Sequence, residues 1–311
     1  MYDLIVIGGG PAGLAATTYA LAKRLDVLLI GTTLSGRAGD RQHYAGQSMP
    51  EELVGEEAVL NLQRHLTASS KRIHTDTVLG LFKRDDVFHV QTEDTVRHAN
   101  AVIVATGVKP RMLGLPHEWR YVGFGLGYSI TTHAQAVIGR DVAVIGSNAQ
   151  ALRGVAELVQ TARSITLIAP DPGQIGSELG QCLRKHPKVQ LLEGYHAQEI
   201  EASGGAVHAI VVAQRDEVQR IPVEAVFVDL GLVPNTQLVR QLVQMDSEGF
   251  IIVDAQNRTS LPGLFAAGDV TSAIGEQILI AIGEGARAAV SAYDYILAQR
   301  LRLSVATLCA T

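Results

Sequence analysis

Gly8, Gly10 and Gly13 stand in the run Gly8-Gly9-Gly10-Pro11-Ala12-Gly13, directly after the apolar segment YDLIVI and before the small-residue segment PAGLAATTYALAKR. A GxGxxG spacing between a strand and a helix suits one chemistry, the holding of a dinucleotide pyrophosphate. The first glycine makes the tight turn, the second admits the phosphates to the backbone, and the third lets helix and strand pack closely. The helix N-terminus offers its unpaired N–H groups to the anion. Pro11 fits a first helical turn, where its missing donor costs nothing. The acidic residue that often reads the ribose at the end of the second strand is absent, because that strand ends at Ile30-Gly31-Thr32. Thiol chemistry has little to work with: Cys182 and Cys309 are the only two cysteines and lie far apart, so neither a disulfide framework nor a CxxC redox or zinc site can be written from them. They read as free thiols, and no metal site is expected.

The elements that must position these residues follow from hydrophobic periodicity. Tyr2 to Ile7 predicts a buried strand, the next segment a helix, and VLLIG at 27–31 a second strand, which completes a β-α-β unit. Residues 32–49 are polar and glycine-bearing, hence loop, and 50–68 look helical. From Arg72 to Gly107, short alternating segments broken at Arg84-Asp85-Asp86 and Glu93-Asp94 predict a β-meander ending in AVIVATG. The pattern then restarts. DVAVIGSNAQALRG at 141–154 is again strand, glycine turn and helix, and SITLIAPD at 164–171 supplies the next strand. After it come FIIVDAQNRTSLPGLFAAGDV and a long amphipathic helix from Glu276 to about Gln299. The fold class expected is α/β: two Rossmann-like three-layer dinucleotide-binding domains, the second inserted into the first. The first domain is assigned to 1–112 and 235–311 and the second to 113–234.

Bulk properties agree with that class and exclude others. The 311 residues suffice for two domains, and a content of 47% hydrophobic with 5% aromatic residues and 31 glycines suits buried parallel strands under helices. A formal net charge of -5, with no long Lys/Arg run, leaves no electrostatic footprint for nucleic acid or an anionic membrane. The first strand begins at Tyr2 and no apolar stretch reaches membrane-spanning length, which gives the expectation of a cytoplasmic protein.

The order of GGGPAG, AVIVATGVKPR (101–111), TSLPGLFAAGDVT (259–271) and EQILIAIGEGARAAVSAYDYI resembles the low-molecular-weight thioredoxin reductase family of FAD flavoproteins, over essentially the whole chain to about residue 300. The resemblance implies that FAD is held by Gly8, Gly10, Pro11, Ala12, Gly13 and Gly36, by Ala105, Thr106 and Gly107 of the ATG segment, and by Gly268 and Asp269. Asp269 would bond a ribityl hydroxyl, and Gln277 and Ile278 would lie beside the flavin pyrimidine. A helix starting near Glu276 would aim N–H groups at the flavin N1/O2 edge, where negative charge collects on reduction. His43-Tyr44-Ala45-Gly46 aligns with an Asn-aromatic-Pro-Gly segment of the family, which makes Tyr44 a flavin-side aromatic or, equally, a core tyrosine. A homodimer is implied by the same resemblance.

The departures carry as much information. Where the family has Cys-Ala-Thr-Cys, this chain has Ser129-Ile130-Thr131-Thr132, followed by His133. Hydroxyls are neither thiolates nor reversible two-electron carriers. His133 could serve as a proton donor at the flavin, although an exposed or capping histidine is the plainer reading. In the second turn, Gly146 and Ala151 keep the ends of the motif, but Asn148 replaces the glycine that admits pyrophosphate. Ala169-Pro170-Asp171 replaces the His-Arg-Arg that grips the 2′-phosphate of NADPH, so NADPH is not expected. Asp171 could accept from a ribose 2′-OH, as for NADH or another adenine dinucleotide, or be a turn residue. Relatives that use reduced ferredoxin, or hold a second flavin nucleotide here, are also compatible. The tail Leu301 to Thr311 has no aromatic residue and reads as a frayed terminus.

These features support an FAD-dependent oxidoreductase that passes electrons through flavin, without a CxxC disulfide, to a small molecule or redox protein. The alternative is an FAD-binding sensor or scaffold without catalysis. A disulfide reductase built on Cys182 or Cys309 would need a long rearrangement.

Overall fold

The computed structural model describes residues 1–36, 55–67, 72–273 and 277–309. In chain order the first elements are β1 (Tyr2–Ile7), α1 (Pro11–Ala22), β2 (Val27–Gly31), α2 (Glu56–Thr67), β3 (Ile73–Thr75), β4 (Val78–Arg84), β5 (Val87–Thr92), β6 (Val96–Val104) and β7 (Val108–Pro110). There follow β8 (Leu126–Gly127), α3 (Ile130–His133), β9 (Asp141–Ile145), α4 (Ala149–Leu158), β10 (Ser164–Ala169), α5 (Glu178–Arg184), β11 (Val189–Glu193), β12 (His196–Ser203), β13 (Ala206–Gln214), β14 (Glu217–Pro222) and β15 (Ala225–Val228). The chain closes with β16 (Leu232–Pro234), β17 (Leu264–Ala266) and α6 (Ile278–Cys309). Contacts divide it into two compact units: one takes in the described residues to Lys109 and again from Val233, and the other runs from Pro110 to Leu232.

In the first unit the strands lie in the order β3-β2-β1-β6, all parallel. Period-2 alternation sends Leu4, Val6, Leu29 and Ile103 to a core shared with α1, α2 and α6. Ile5, Ile7, Ile30 and Val104 point the other way, onto Leu81, Phe88, Val239 and Ile251. A sheet buried on both faces explains why LIVI at 4–7 and VLLIG at 27–31 are continuous apolar runs. The single strand β6 works twice along one edge: its start pairs antiparallel with β5, and its end pairs parallel with β17. The expected meander from Arg72 is therefore confined to β4, β5 and β6, because β3 joins the parallel sheet beside β2.

The second unit repeats the plan. Its parallel sheet runs β11-β10-β9-β15-β8. Val142, Val144, Leu167 and Phe227 pack on the helical side against Ile130, Leu152, Val155 and Leu183. Ala143, Ile145, Ile168 and Val226 pack on an antiparallel layer of β12, β13 and β14 through Ile200, Val207, Ile210 and Val212. Each unit is thus a three-layer Rossmann-like domain, and the second is inserted into the first.

Two expected boundaries move. The α6 helix does not stop near Gln299 but continues to Cys309, so the region read as a frayed tail is helical through most of its length. The helix read over 50–68 is described only as Glu56–Thr67, and residues 50–54 and Tyr44 lie outside the described residues.

Candidate functional site

The strand that ends at Ile7 turns through Gly8, whose φ of +113 only glycine adopts readily. A Cβ there would lie 2.2 Å from the Ala105 carbonyl oxygen, and one on Gly13 would lie 1.8 Å from Gly8 O. These contacts let α1 and the end of β6 close onto the turn. Gly10 is different, since a Cβ there would meet nothing within 4 Å. Gly10 stands at the cap of α1 and has no side chain to bond the first N–H groups of that helix. The result is an open backbone cradle at the N-terminus of a helix of 12 residues, a fit for the pyrophosphate of FAD.

The remaining segments assigned to FAD converge on that cradle within the same unit. A Cβ on Gly36 would lie 3.0 Å from Gly10 Cα and 3.8 Å from Pro11 Cδ. A Cβ on Gly268 would lie 3.0 Å from Ala12 Cβ, and one on Gly285, in α6, 2.0 Å from Ala12 O. Thr106 and Gly107 are clasped by Asn235. Thr106 donates its hydroxyl to Asn235 O at 2.7 Å, Asn235 Nδ2 donates to Thr106 O at 2.9 Å, and Asn235 N donates to Gly107 O at 2.9 Å. Asp269 is half-buried in the turn after β17, and Gln277 immediately precedes α6, whose first residue is Ile278.

A buried carboxylate that the motifs did not reveal holds the Asp269 turn. Glu284, on α6 and 6% exposed, accepts the Gly268 N–H at 2.7 Å. Burial pushes its carboxyl above the ordinary glutamate range, opposed by the bond from Gly268. The only sequence signal was a charged residue on a helix face otherwise lined by Ala281, Ala288 and Ala292. Asn235 was equally hidden, since sequence marks it only as the first residue of the 235–311 segment.

In the second unit, Ser129 is the extended N-cap residue of α3 and Thr132 is that helix's third residue. The preceding Tyr128 hydroxyl donates to Glu118, a carboxylate only 2% exposed. Glu118 also accepts from the backbone N–H groups of Leu113 and Gly114 at 2.8 Å and of Leu115 at 3.2 Å. Burial, then the Glu118 bond, drives the Tyr128 phenol well above its ordinary value, so it stays a donor. His133 is 5% exposed, and as N-cap of the short 3-10 turn that follows it makes no side-chain cap bond. The exposed or capping histidine expected from sequence is therefore a buried one, because α3 turns that position into the core beside Ala134 and Val137.

The second glycine turn also differs from the first. Asn148 caps α4 with its own side chain, Oδ1 accepting from Ala151 N at 2.8 Å. Its Nδ2 donates to Asp229 O at 2.8 Å and to Asp229 Oδ1 at 3.2 Å. Asp171 accepts the Ser147 hydroxyl at 2.5 Å. Among the described residues no cluster of His, Cys, Asp or Glu could hold a metal ion, and no helix is long and apolar enough to cross a membrane.

Two three-layer Rossmann-like units, the second inserted into the first, with a glycine turn opening α1, are the architecture of the thioredoxin reductase-like flavoproteins. The chain belongs to the pyridine nucleotide-disulphide oxidoreductase family, whose profile matches residues 2–285. It is similar to the thioredoxin reductase of Streptococcus pyogenes, with 29% identity and a TM-score of 0.85 over 96% of this chain and 99% of that one. Among curated proteins it is 30% identical over 309 residues to a subunit of the alkyl hydroperoxide reductase of Pseudomonas aeruginosa, covering 95% of this chain and 58% of the relative. It is 29% identical over 300 residues to an NADH dehydrogenase of Bacillus subtilis, covering 95% of this chain and 59% of the relative. The chain thus spans under two thirds of the length of these curated relatives.

Proposed function

We propose that the protein holds FAD in the cradle at Gly8, Gly10, Pro11, Ala12 and Gly13, with Gly36, Ala105, Thr106, Gly107, Gly268, Asp269, Gln277 and Ile278 completing the site. In this reading it passes electrons between a donor and a small molecule or redox protein without a cysteine pair. Bound FAD would supply reversible two-electron chemistry. The observation that carries the reading is the open start of α1 at Gly10, to which the Gly36 and Gly268 segments are brought.

The chain's own residues do the positioning. The α1 N-terminus offers N–H groups to phosphate. Asn235 fixes the backbone of Thr106 and Gly107, and Glu284 fixes Gly268, so that Asp269 is presented on a rigid turn. Electrons leave the site directly, because Ser129 and Thr132 provide no thiolate.

The second unit, 113–234, is read as a nucleotide domain with impaired NADPH recognition. Ala169-Pro170-Asp171 offers no guanidinium to a 2′-phosphate, a loss of two charge-assisted contacts of roughly 1.5–3 kcal/mol each. NADH is expected to be the better nicotinamide, with a protein donor or another adenine dinucleotide open to replace both. A homodimer and a cytoplasmic location belong to the same reading. Anaerobic rapid mixing with equal NADH, NADPH or reduced ferredoxin, followed by flavin bleaching, tests it. Slow reduction by NADPH is expected. Fast, saturable bleaching by micromolar NADPH refutes the impaired site, and a flavin that no donor reduces favours the sensor or scaffold.

A further inference from the structure

The two glycine turns of this chain occupy equivalent places in equivalent units, so each serves as a control for the other. At the first, the cap residue Gly10 supplies no side-chain partner to the helix N–H groups and faces open space. At the second, Asn148 commits both ends of its side-chain amide inside the fold. Its carbonyl oxygen takes the Ala151 N–H, and its amide nitrogen reaches both the carbonyl and the carboxylate of Asp229. The Ala151 donor fixes which end of the amide is oxygen, and hence that Asp229 faces an N–H donor. The other partner of the Asp229 carboxylate is the Gly231 N–H, also a donor; burial raises this carboxyl above the ordinary aspartate range, and the Asn148 and Gly231 donors oppose that rise by favouring the charged form.

The position of Asp229 matters more than its bonds. It follows β15, and β15 and β10 flank β9 on opposite sides. The chain runs outward from β9 through β10 to β11 on one side and returns through β15 on the other. This is the topological switch point, where open α/β sheets bind their ligands at the carboxyl ends of the strands. A carboxylate therefore stands at the place where a dinucleotide would bring its pyrophosphate. The far side of the turn is closed as well. The Gln174 N–H donates to Ser147 O at 2.6 Å, and a Cβ on Gly173 would lie 2.4 Å from both Ser147 O and Oγ. Asp171, at the end of that loop nearest β10, is engaged by the Ser147 hydroxyl.

We propose that the Asn148 and Asp229 pair is a specificity determinant that keeps dinucleotide pyrophosphate out of the second unit, Asn148 by filling the helix cap and Asp229 by setting a negative charge at the switch point. This rests on reading the second unit as a nucleotide domain, and it changes the cause of poor nicotinamide use. The barrier lies at the pyrophosphate, which NADH and NADPH share, ahead of any discrimination at the 2′-phosphate.

The test is calorimetric titration of the FAD-loaded protein with NAD+ and with ADP-ribose, which measures binding rather than turnover. Asp229→Asn removes the charge and keeps the shape. Asn148→Gly removes the cap and restores the open turn. We expect weak or undetectable binding to the unaltered protein, tightening of about tenfold or more in each single variant, and the tightest binding in the double variant. Unchanged FAD content and thermal midpoint establish that a variant is folded, and the near-isosteric Asp229→Asn carries the test if Asn148→Gly is unstable. Folded variants that bind no more tightly than the parent overturn the proposal, as does micromolar binding of NAD+ to the parent. The outcome is separable from that of the proposed function: rapid reduction by NADPH would undo the reading of the second unit itself, whereas slow reduction together with unimproved variants undoes only the assignment to Asn148 and Asp229.

Discussion

The Glu284 carboxylate accepts the backbone N–H of Gly268 at 2.7 Å, tying the second turn of α6 to the turn that carries Asp269. Burial holds this carboxyl above its ordinary range, so the folded protein binds the proton more tightly than the unfolded chain does. Its contribution to stability is therefore fully present below the ordinary glutamate pKa and is lost as pH rises through the shifted one. Glu284→Gln keeps an acceptor for Gly268 and cannot titrate. The stability of the parent relative to this variant should fall as pH rises from the ordinary glutamate range towards neutrality, then level off. Thermal midpoints of both FAD-loaded proteins across that range check it, and a difference that rises with pH would contradict the assignment.

Gly10 and Gly13 should respond oppositely to one added methyl group. Gly10 has φ -75 and open space at its Cβ, so Gly10→Ala should fold with its secondary structure intact but retain less FAD, because the methyl occupies the phosphate cradle. Gly13→Ala places a methyl 1.8 Å from Gly8 O and must push α1 off the sheet, at a cost of about 1–3 kcal/mol or more. Flavin-to-protein absorbance ratios and thermal melts of the apoproteins separate the outcomes. A Gly10→Ala protein that keeps its full flavin content would show that phosphate does not sit there.

Asp269→Ala should leave the fold intact and weaken FAD retention. A charge-assisted hydrogen bond to a ribityl hydroxyl is worth roughly 1.5–3 kcal/mol, or about 10- to 100-fold in dissociation constant. Equilibrium dialysis against FAD reads this directly, and unchanged affinity would remove Asp269 from the site.

Much of the fold is legible in the chain because strand segments buried on both faces must be continuous apolar runs, as Leu4 to Ile7, Val27 to Ile30 and Val142 to Ile145 are. The glycine turns are legible because close packing leaves room for no other residue at Gly8, Gly13 and Gly146. What stays hidden is held by long-range polar bonds with no local pattern. Asn235 clasps Thr106 across more than a hundred residues, and Asp229 reaches Asn148 from another strand. The extent of the meander is misread at β3 because three residues show no period that separates a parallel edge strand from a hairpin arm. The burial of His133 escapes the sequence because a four-residue helix has no face that sequence alone can orient.

Thioredoxin-type exchange should be absent. Reduction of a protein disulfide begins with a thiolate attacking sulfur to give a mixed disulfide, and a second thiol then resolves it. Ser129 at the cap of α3 and Thr132 within it are placed as such a pair would be, one at the helix start and one three residues on, but their hydroxyls cannot take either step. Cys182 is exposed on α5, and no second cysteine is described near it. NADPH- or NADH-driven reduction of thioredoxin, followed with insulin or a chromogenic disulfide, should therefore stay at background, and Cys182→Ser should leave flavin reduction unchanged. Robust turnover that survives both Cys182→Ser and Cys309→Ser would mean that electrons reach disulfides by a route using neither thiol. Turnover abolished by Cys182→Ser alone would place the exchange at α5 instead. Ser129→Cys with Thr132→Cys provides the positive control: the double variant should lose two titratable thiols on mild oxidation, because its cap-position thiol gains thiolate character at the helix start.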